Sequence, residues 1–467
     1  MGAGRGAGSD GGSTEGGSAT ADYGKTASFL AIGVGLTGVI TYVYFFIASH
    51  VLSKGDYGQI TVLWSAVFIT ISTLYRPVEQ LLSRHIAEHR VKDESIGGTT
   101  RNAALIQFGL SLTFAVLALA LRGPIQDGVL EGNETLYWVF FGAVLFYAAS
   151  YFARGFLAGS QRFGLFTALI LSESCFRTIF AVLVAVSILS GQSAVAVGIV
   201  AAPALSLIVV PFAFARRARS APPQPKKESS EESSVSMAKG GGFAAAVFVI
   251  MFSEQAFLNA GPLVIRGLQG AAAAGFIFNV LMIARAPLQL FQAVSTSILP
   301  HLTRLHTSGT EEGEREFHSS VRMVLLGLVA FTGLAFIFMA IAGPKAMQLA
   351  FSNKFTYDRE GLLLVTLGMG LYLASVTVNQ ACIAQGQVRR VALRWIACAL
   401  LFIGWNFVPL VSNEYRRVEF GFLLAAGVLF SLLYYVYRHP HERAEDVPQP
   451  GSPEELEAEL ALIDENV

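Results

Sequence analysis

Two arginines lie inside long apolar stretches, each close to a proline: Arg76 precedes Pro77, and Arg285 lies two residues before Pro287. A charged group at the centre of a membrane-spanning helix costs at least about 2.5–3.5 kcal/mol, so such groups usually face a cavity or a partner. A guanidinium group binds phosphate oxygens through two parallel hydrogen bonds. Two arginines at comparable depth that face one cleft would therefore suit a pyrophosphate group.

Polar neighbours of these arginines could complete a substrate site. Glu79 follows Arg76 by three residues, which places both on one helical face. The glutamate either tunes a cavity-lining arginine or forms a structural pair with it. Three amide side chains share the apolar stretch of Arg285: Asn279, Gln289 and Gln292. Such amides can bind sugar hydroxyls, or they can bond neighbouring helices instead.

Four further charged residues lie within apolar stretches. Glu173 and Arg177 are four residues apart, in the order that favours a helical ion pair, and burial makes pairing nearly obligatory. Arg154 lies near the end of its stretch, so we expect its side chain to extend to the cytoplasmic surface. Glu254 has no obvious local partner, and it is a candidate proton or cation site or the partner of an arginine on another helix.

The composition indicates a membrane protein. Hydrophobic residues make up 53% of the chain and charged residues 14%, with a mean hydropathy of +0.54, whereas a soluble domain has about 25% charged residues. The net charge of +0 argues against a nucleic-acid partner. The sequence contains no P-loop motif, so energy for transport would come from a gradient or from substrate supply. We expect no cofactor and no metal.

Apolar runs of the roughly 20 residues needed to cross a bilayer recur along the chain. They predict an all-α polytopic membrane protein with about twelve transmembrane helices. The predicted spans are 27–48, 58–82, 102–121, 137–157, 165–189, 193–214, 243–265, 272–299, 321–342, 361–384, 391–411 and 419–437. The sequence Tyr75-Arg76-Pro77 predicts a kink in the second span.

Polar segments divide this apolar chain. Their Gly, Ser, Pro and charged residues cannot form a core, which predicts disorder or a flexible linker. The predicted organisation is a disordered tail (1–22), a first lobe (23–215), a cytoplasmic linker (216–242), a second lobe (243–437) and a cytoplasmic tail (438–467). The motif that begins at Ser452-Pro453 predicts a short amphipathic helix in the cytoplasmic tail, and a frayed tail is the alternative.

The two halves of the chain contain similar motifs in the same order. The pairs are Leu82-Ser83-Arg84-His85 with Leu299-Pro300-His301, Gly123-Pro124 with Gly343-Pro344, and Ala158-Gly159-Ser160-Gln161 with Gln385-Gly386-Gln387. Gly123-Pro124 and Gly343-Pro344 are expected to close the third and ninth spans. Because each half has an even number of spans, the repeats are parallel and related by an axis along the membrane normal. This arrangement predicts two six-helix lobes around a central cleft, the plan of an alternating-access transporter. The alternative is a chance similarity among Gly- and Leu-rich helices.

Basic residues indicate the orientation. They are more frequent in the loops on the side of both termini, including the linker with Arg216, Arg217 and Arg219, than in the loops on the other side. Cytoplasmic loops carry such an excess of Lys and Arg. We therefore expect a multi-pass protein of the cytoplasmic (inner) membrane with both termini inside.

Short motifs resemble those of a known family. They are Leu52-Ser53-Lys54-Gly55-Asp56-Tyr57-Gly58, Arg76-Pro77 and Arg154-Gly155-Phe156-Leu157-Ala158-Gly159. With them, the chain resembles the polysaccharide-transporter branch of the multidrug/oligosaccharidyl-lipid/polysaccharide exporter superfamily. The resemblance implies a two-lobed flippase fold and a polyprenyl-pyrophosphate-linked oligosaccharide as substrate. It also implies membrane lipids, and glycan polymerase or glycosyltransferases of the same pathway, as partners. Some relatives have fourteen helices, which leaves the subfamily open.

Two other functions compete with this flippase. A cation-coupled multidrug exporter would share the fold. A membrane polymerase or ligase of lipid-linked glycans would need catalytic polar residues at the outer face. The longest expected outer loops, residues 122–136 and 343–360, are short and lack histidine. We therefore expect no enzymatic activity.

Overall fold

The computed structural model describes residues 15–91, 96–211, 233–283, 285, 311–355 and 357–440. Every regular element in these ranges is helical, and no strand occurs among them. The expected all-α fold is therefore confirmed. Residues Gln289 and Gln292, most of the linker and the helix expected from Ser452 lie outside the described ranges.

The first lobe is built from eight α-helices, of which α2 and α3 together make one membrane crossing. The helices are α1 (Glu15–Val51), α2 (Lys54–Leu74), α3 (Arg76–Val91), α4 (Gly97–Ala120), α5 (Arg122–Leu130), α6 (Glu134–Gly159), α7 (Phe163–Ala185) and α8 (Gly191–Ser206), and a 3₁₀ turn (Leu207–Val209) follows. Within this lobe, α7 packs against α1 and α8, while α6 packs against α3 and α8.

The second lobe contains the remaining described helices. They are α9 (Ser233–Gln269), α10 (Ala271–Ile283), α11 (Glu311–Phe351), α12 (Arg359–Ala384), α13 (Val388–Trp405) and α14 (Glu414–Arg438). Here α12 packs against α11 and α14, and α9 packs against α13. Aromatic rings fill the interior: the Phe257 ring lies 5.8 Å from that of Phe402 and 5.9 Å from that of Trp395. The two lobes meet where α2 packs along α9.

The described helices account for the expected crossings. Ten spans are long and apolar enough to cross a membrane, and one of these joins α2 and α3. The helix α10 is shorter and reaches the edge of the described range, and α13 carries Arg389, Arg390 and Arg394 near its start. With these two helices added, the fold is compatible with about twelve transmembrane helices.

Two helices begin earlier than the sequence predicts. The helix α1 begins at Glu15, within the expected disordered tail, and α9 begins at Ser233, within the expected linker 216–242. The prolines of the linker, Pro222, Pro223 and Pro225, all precede this start. Extending a helix that is already nucleated is far less costly than starting one. Each apolar helix can therefore continue into polar sequence that lacks proline.

The second predicted span is interrupted at Tyr75, where α2 ends and α3 begins. The Tyr75 N–H donates to the Ile71 carbonyl at 2.8 Å, and the Glu79 N–H donates to the Tyr75 carbonyl at 3.0 Å. Pro77 lies in the first turn of α3, where a missing N–H leaves no helical bond unmade. The helix is thus interrupted where a kink is expected, and the break places Arg76 at the start of a helix.

The two Gly-Pro motifs behave differently. In the first half, α4 ends at Ala120, just before Gly123-Pro124, as expected. In the second half, α11 continues through Gly343-Pro344 to Phe351, so the expected end of the ninth span there is wrong. A proline inside a helix removes one hydrogen bond and bends the axis without necessarily ending it. The apolar residues beyond Pro344 allow the helix to continue.

The helices α3 and α6 are in direct backbone contact. A Cβ atom on Gly155 would lie 2.7 Å from the Glu79 carbonyl oxygen, and one on Gly159 would lie 2.6 Å from that of Ser83. Real Cβ atoms do not approach a backbone oxygen so closely, and small residues of this spacing allow membrane helices to pack at short range. The motif that contains these glycines therefore places Arg154 beside α3.

Candidate functional site

Arg76 faces the second lobe. It is the first residue of α3 and is half-buried. The strongest charged neighbour of its guanidinium is Glu254 of α9, ahead of Glu79 on its own helix. Of the alternatives for Glu254, the electrostatics therefore favour an interaction with an arginine of another helix. This charge interaction acts between the two lobes.

Arg285 lies just beyond α10 and is also half-buried. Its nearest ionisable neighbours in the described part of the chain are Tyr42 of α1 and Tyr372 of α12. The Arg285 Nε and Nη2 atoms are buried and have no hydrogen-bond partner among the described residues. Because a buried donor without a partner is costly, these N–H groups would gain from binding an anion.

Tyr372 connects the two arginines. Its hydroxyl is within electrostatic range of Glu254, Arg285 and Arg76. One cluster thus contains charged groups from both lobes. The sequence alone does not single out Tyr372 or Tyr42, because tyrosines in apolar helices usually pack into the core. The Tyr42 hydroxyl donates to the Met282 carbonyl, which bonds α1 to the helix that precedes Arg285.

Glu79 does not form a closed pair with Arg76. Its strongest charged neighbour is Arg154 of α6, ahead of Arg76. The close contact of α3 with α6 explains this preference, since the glycine next to Arg154 packs against the Glu79 backbone. Glu79 therefore lies between two arginines, and of the two alternatives this arrangement is not the isolated structural pair with Arg76 alone.

Arg154 does not extend to the membrane surface. Its Nη2 atom lies 2.5 Å from Glu173 Oε2, and the two side chains are 14% and 5% exposed. Its guanidinium also lies 4.7 Å from the centre of the Tyr151 ring. A carboxylate on the neighbouring helix replaces the hydration that the arginine would otherwise find at the surface. The expectation of a surface-directed Arg154 is wrong for this reason.

Glu173 is the centre of a buried network in the first lobe. It accepts hydrogen bonds from the Tyr147 hydroxyl at 2.8 Å and from the Ser150 hydroxyl at 3.3 Å. Arg177, its expected partner, lies 4.0 Å away, farther than Arg154. The Arg177 guanidinium instead packs over the Trp64 ring at 4.5 Å from its centre. The expected helical pair is therefore present, and the shorter contact crosses to α6.

Together these residues form a series of alternating charge. It begins at the seam between the lobes and leads into the interior of the first lobe. The series is Glu254, Arg76, Glu79, Arg154, Glu173 and Arg177. Each member has an opposite charge as a neighbour. Arg285 lies outside the series, and its charge has no acidic neighbour in the described part of the chain.

Asn279 bonds a neighbouring helix in this conformation. It is fully buried in α10, and its Oδ1 atom accepts a hydrogen bond from the Tyr57 hydroxyl of α2. The amides could bind sugar hydroxyls or bond neighbouring helices, and in this conformation Asn279 does the latter. Its Nδ2 atom is buried without a partner among the described residues.

No group of three or more metal-ligating side chains occurs in the described ranges.

The sequence of residues 23–306, more than half of the 467-residue chain, matches the family described as "Polysaccharide biosynthesis protein". The chain belongs to the polysaccharide biosynthesis protein family. No curated protein matched the sequence. The family assignment agrees with the motifs at Arg76-Pro77 and Arg154–Gly159, which lie inside the matched residues.

Solved structures share the fold of this family member. An inward-facing multidrug resistance MATE family transporter of the MOP superfamily matches with a TM-score of 0.65 and 10% identity, over 88% of this chain and 97% of that one. An outward-facing conformation of a MATE family transporter matches with a TM-score of 0.59 and 13% identity, over 89% and 95%. The eukaryotic MATE transporter AtDTX14 gives 0.59 and 14%, over 88% and 94%. The protein therefore has the fold of a MOP-superfamily membrane transporter.

Proposed function

We propose that the protein moves a polyprenyl-pyrophosphate-linked oligosaccharide across the cytoplasmic membrane by alternating access, for synthesis of a cell-surface polysaccharide. The observation that carries this proposal is Arg285, whose buried N–H groups lack a partner in the described residues. A guanidinium without an acidic neighbour among the described residues is suited to an anion. The family description, polysaccharide biosynthesis, supports a glycan carrier as the source of that anion.

The two arginines have different roles in this proposal. Arg285 supplies a positive charge that has no acidic neighbour in the described part of the chain, and Arg76 supplies a second charge that Glu254 balances in the absence of substrate. A pyrophosphate that contacts both would compete with Glu254 for Arg76. Gln289 and Gln292 remain candidates for contacts with sugar hydroxyls, and membrane lipids and enzymes of the same pathway remain the expected partners. The polyprenyl tail would stay in the bilayer.

A cation-coupled drug exporter is the second candidate. The observation in its favour is the carboxylate of Glu254, which could attract a cationic compound. However, Arg76 already balances that charge in the cleft, and Arg285 adds a second cation to the cluster. The charge of the cluster therefore favours an anionic substrate.

In the proposed flippase, both termini and the linker are cytoplasmic.

The experiment is mass spectrometry of lipids that co-purify with the full-length protein in mild detergent. We expect a polyprenyl-pyrophosphate glycan with the wild-type chain and its loss with Arg285→Ala. The matched control is Arg122→Ala, which removes an arginine that is 42% exposed and pairs with Glu134 away from the cleft. Retention of the lipid by Arg285→Ala, or loss from both variants, would contradict the assignment of the site. Transport of a cationic drug by reconstituted protein would favour the second candidate.

A further inference from the structure

The lobes contact each other at one end of the bundle through helix termini. Glu131, at the end of α5 in the first lobe, accepts a hydrogen bond on Oε1 from the Ala271 N–H at 3.1 Å. Ala271 is the first residue of α10 in the second lobe. The first N–H groups of a helix have no partner within it, and that end carries a partial positive charge. The Glu131 carboxylate therefore caps a helix of the opposite lobe.

The helix α10 has no capping side chain of its own. Gly270 precedes it with a φ of 85°, a conformation that favours glycine. In contrast, the side chain of the residue directly before the helix caps α2, α6, α12 and α14. The hydroxyl of Ser53 accepts from Asp56 N–H at the start of α2, and the Asn133 amide oxygen accepts from Leu136 N–H at the start of α6. The cap that α10 lacks locally is supplied from the first lobe.

Glu131 is held in position for this contact. It adopts a left-handed conformation with a φ of 55° at the end of α5, and its own N–H donates to the Gln126 carbonyl. Its Oε2 atom accepts a hydrogen bond from Gln59 Nε2 at 2.8 Å, and Gln59 Oε1 accepts from Gln192 Nε2 at 2.5 Å. These two amides, on α2 and α8, orient the carboxylate toward α10.

A second contact has the opposite polarity. Arg266, near the end of α9 in the second lobe, donates to the Gly128 carbonyl and, at 3.3 Å, to the Asp127 carbonyl. These carbonyls belong to the last turn of α5, which carries a partial negative charge. Thus the end of α5 receives a cation from the second lobe, and Glu131 from that same end of α5 provides an anion to α10.

A third contact follows the same rule. Lys354, in the loop after α11, donates from Nζ to the Leu52 carbonyl at 3.0 Å and to the His50 carbonyl at 3.2 Å. These carbonyls lie at the end of α1 in the first lobe. Beside them, a Cβ atom on Gly58 would lie 1.8 Å from the Ala271 carbonyl oxygen. The backbones of α2 and α10, which belong to different lobes, are therefore in contact where the caps are exchanged.

We propose that this exchange of helix caps is the gate that closes the cleft at the end of the bundle where α2 begins, and that Glu131 is its main positioning residue. The helix that Glu131 holds, α10, leads directly to Arg285. Release of the Ala271 N–H would remove the bond that holds the start of α10 to the first lobe, so the cleft could open at this end. With both termini cytoplasmic this is the outer end, where substrate leaves; that assignment rests on the proposed function.

The experiment measures the distance between the lobes by pulsed electron–electron double resonance in lipid nanodiscs. The three cysteines are replaced by alanine, and spin labels are placed at Ser193→Cys and Ser412→Cys. Both positions are exposed: Ser193 lies at the start of α8 in the first lobe, and Ser412 lies in the loop before α14 in the second lobe. We expect one short distance population with Glu131 present and a second, longer population with Glu131→Ala. A coupling of ordinary size changes the ratio of two such states by about 5- to 150-fold.

The control is Glu134→Ala. Glu134 is a nearby acid that is 64% exposed and pairs at 2.7 Å with Arg122 of the same lobe, so its removal should leave the distances unchanged. Glu131→Gln keeps an acceptor oxygen and should restore most of the short population. If Glu131→Ala does not fold, Arg266→Ala tests the reciprocal cap and should give the same longer population. Native distances in folded Glu131→Ala and Arg266→Ala would overturn the proposal. The measurement needs no substrate, so it is independent of the lipid assignment.

Discussion

Arg154 of α6 lies 2.5 Å from Glu173 of α7, and this ion pair is buried inside the first lobe. This pair differs from Arg76 and Glu254, which lie on different lobes, because its hydrogen bonds and its neighbours come from one lobe. Removing one partner from a buried pair leaves an uncompensated charge. Arg285 has no such partner among the described residues. Structural and substrate-binding arginines can therefore be separated by their effects on stability.

Arg154→Ala should destabilise the fold. It leaves Glu173 with Arg177 at 4.0 Å as its remaining cation, and breaking a buried pair costs about 3–5 kcal/mol. Thermal unfolding in detergent would show a lower midpoint, and Arg154→Lys should recover part of the loss because it restores the charge. An unchanged midpoint for Arg154→Ala would contradict a structural role for this pair.

Arg285→Ala should retain the wild-type unfolding midpoint while export of lipid-linked glycan is lost. The variant removes buried N–H groups that have no partner in the described chain. A hydrogen bond to a charged group contributes about 1.5–3 kcal/mol, so affinity should fall roughly 10- to 150-fold. Export from vesicles and thermal unfolding are the two measurements. Full export, or collapse of the fold, would exclude Arg285 from the site.

Arg76→Ala should also reduce export, and it should leave Glu254 without its arginine neighbour. We expect a double variant, Arg76→Ala with Glu254→Gln, to be more stable than Arg76→Ala alone because it removes the orphan carboxylate. A cycle of unfolding midpoints over the two single variants and the double variant measures this coupling. Strictly additive midpoints would show that the two residues do not interact across the seam.

Gly155→Ala should disturb the contact between α3 and α6. The added methyl group would lie 2.7 Å from the Glu79 carbonyl oxygen, so a backbone must move, and overpacking of this kind costs about 1–3 kcal/mol. Gly109→Ala on α4 is the matched control, since nothing lies within 4 Å of its added Cβ atom. The yield and unfolding midpoint of the two variants should differ. Equal midpoints would indicate that α3 and α6 separate easily.

The orientation can be checked with two single cysteines in intact cells. A membrane-impermeant maleimide should label Ser412→Cys, at the end of the bundle where α2 begins, and should not label Ser230→Cys in the linker. The asymmetry of basic residues between the loops is the reason for this expectation. Labelling of Ser230→Cys from outside would reverse the topology and would place the exchanged caps on the cytoplasmic side.

Local features of the fold could be predicted from the sequence, and contacts between helices could not. Pro77 is sufficient to predict the break at Tyr75, because proline limits the backbone of its own turn. The position of Arg154 near the end of its span is local information and predicts a surface-directed side chain, whereas its partner Glu173 depends on how α6 and α7 pack. The start of α9 at Ser233 cannot be predicted for a different reason, since helix extension depends on a nucleus downstream.

The site shows the same division. Arg76 and Arg285 stand out because charge is rare in an apolar helix. Tyr42 and Tyr372 do not stand out, because each becomes part of the cluster only through tertiary packing around Arg285. The role of Glu131 could not be predicted either. It lies in a polar loop, and its partner is a backbone N–H at the start of a helix in the other lobe.

The length of α11 gives the bilayer a direct influence on the second lobe. Its exposed apolar side chains extend from Met323 to Leu349, a rise of about 39 Å along a helix. The hydrocarbon core of a bilayer is about 30 Å thick. The helix must therefore tilt, bend at Pro344 or thicken the lipid around it, and each response costs free energy that depends on lipid chain length. Because α11 packs on α12, which carries Tyr372, the acyl-chain length of the host membrane becomes a thermodynamic variable acting on the cleft.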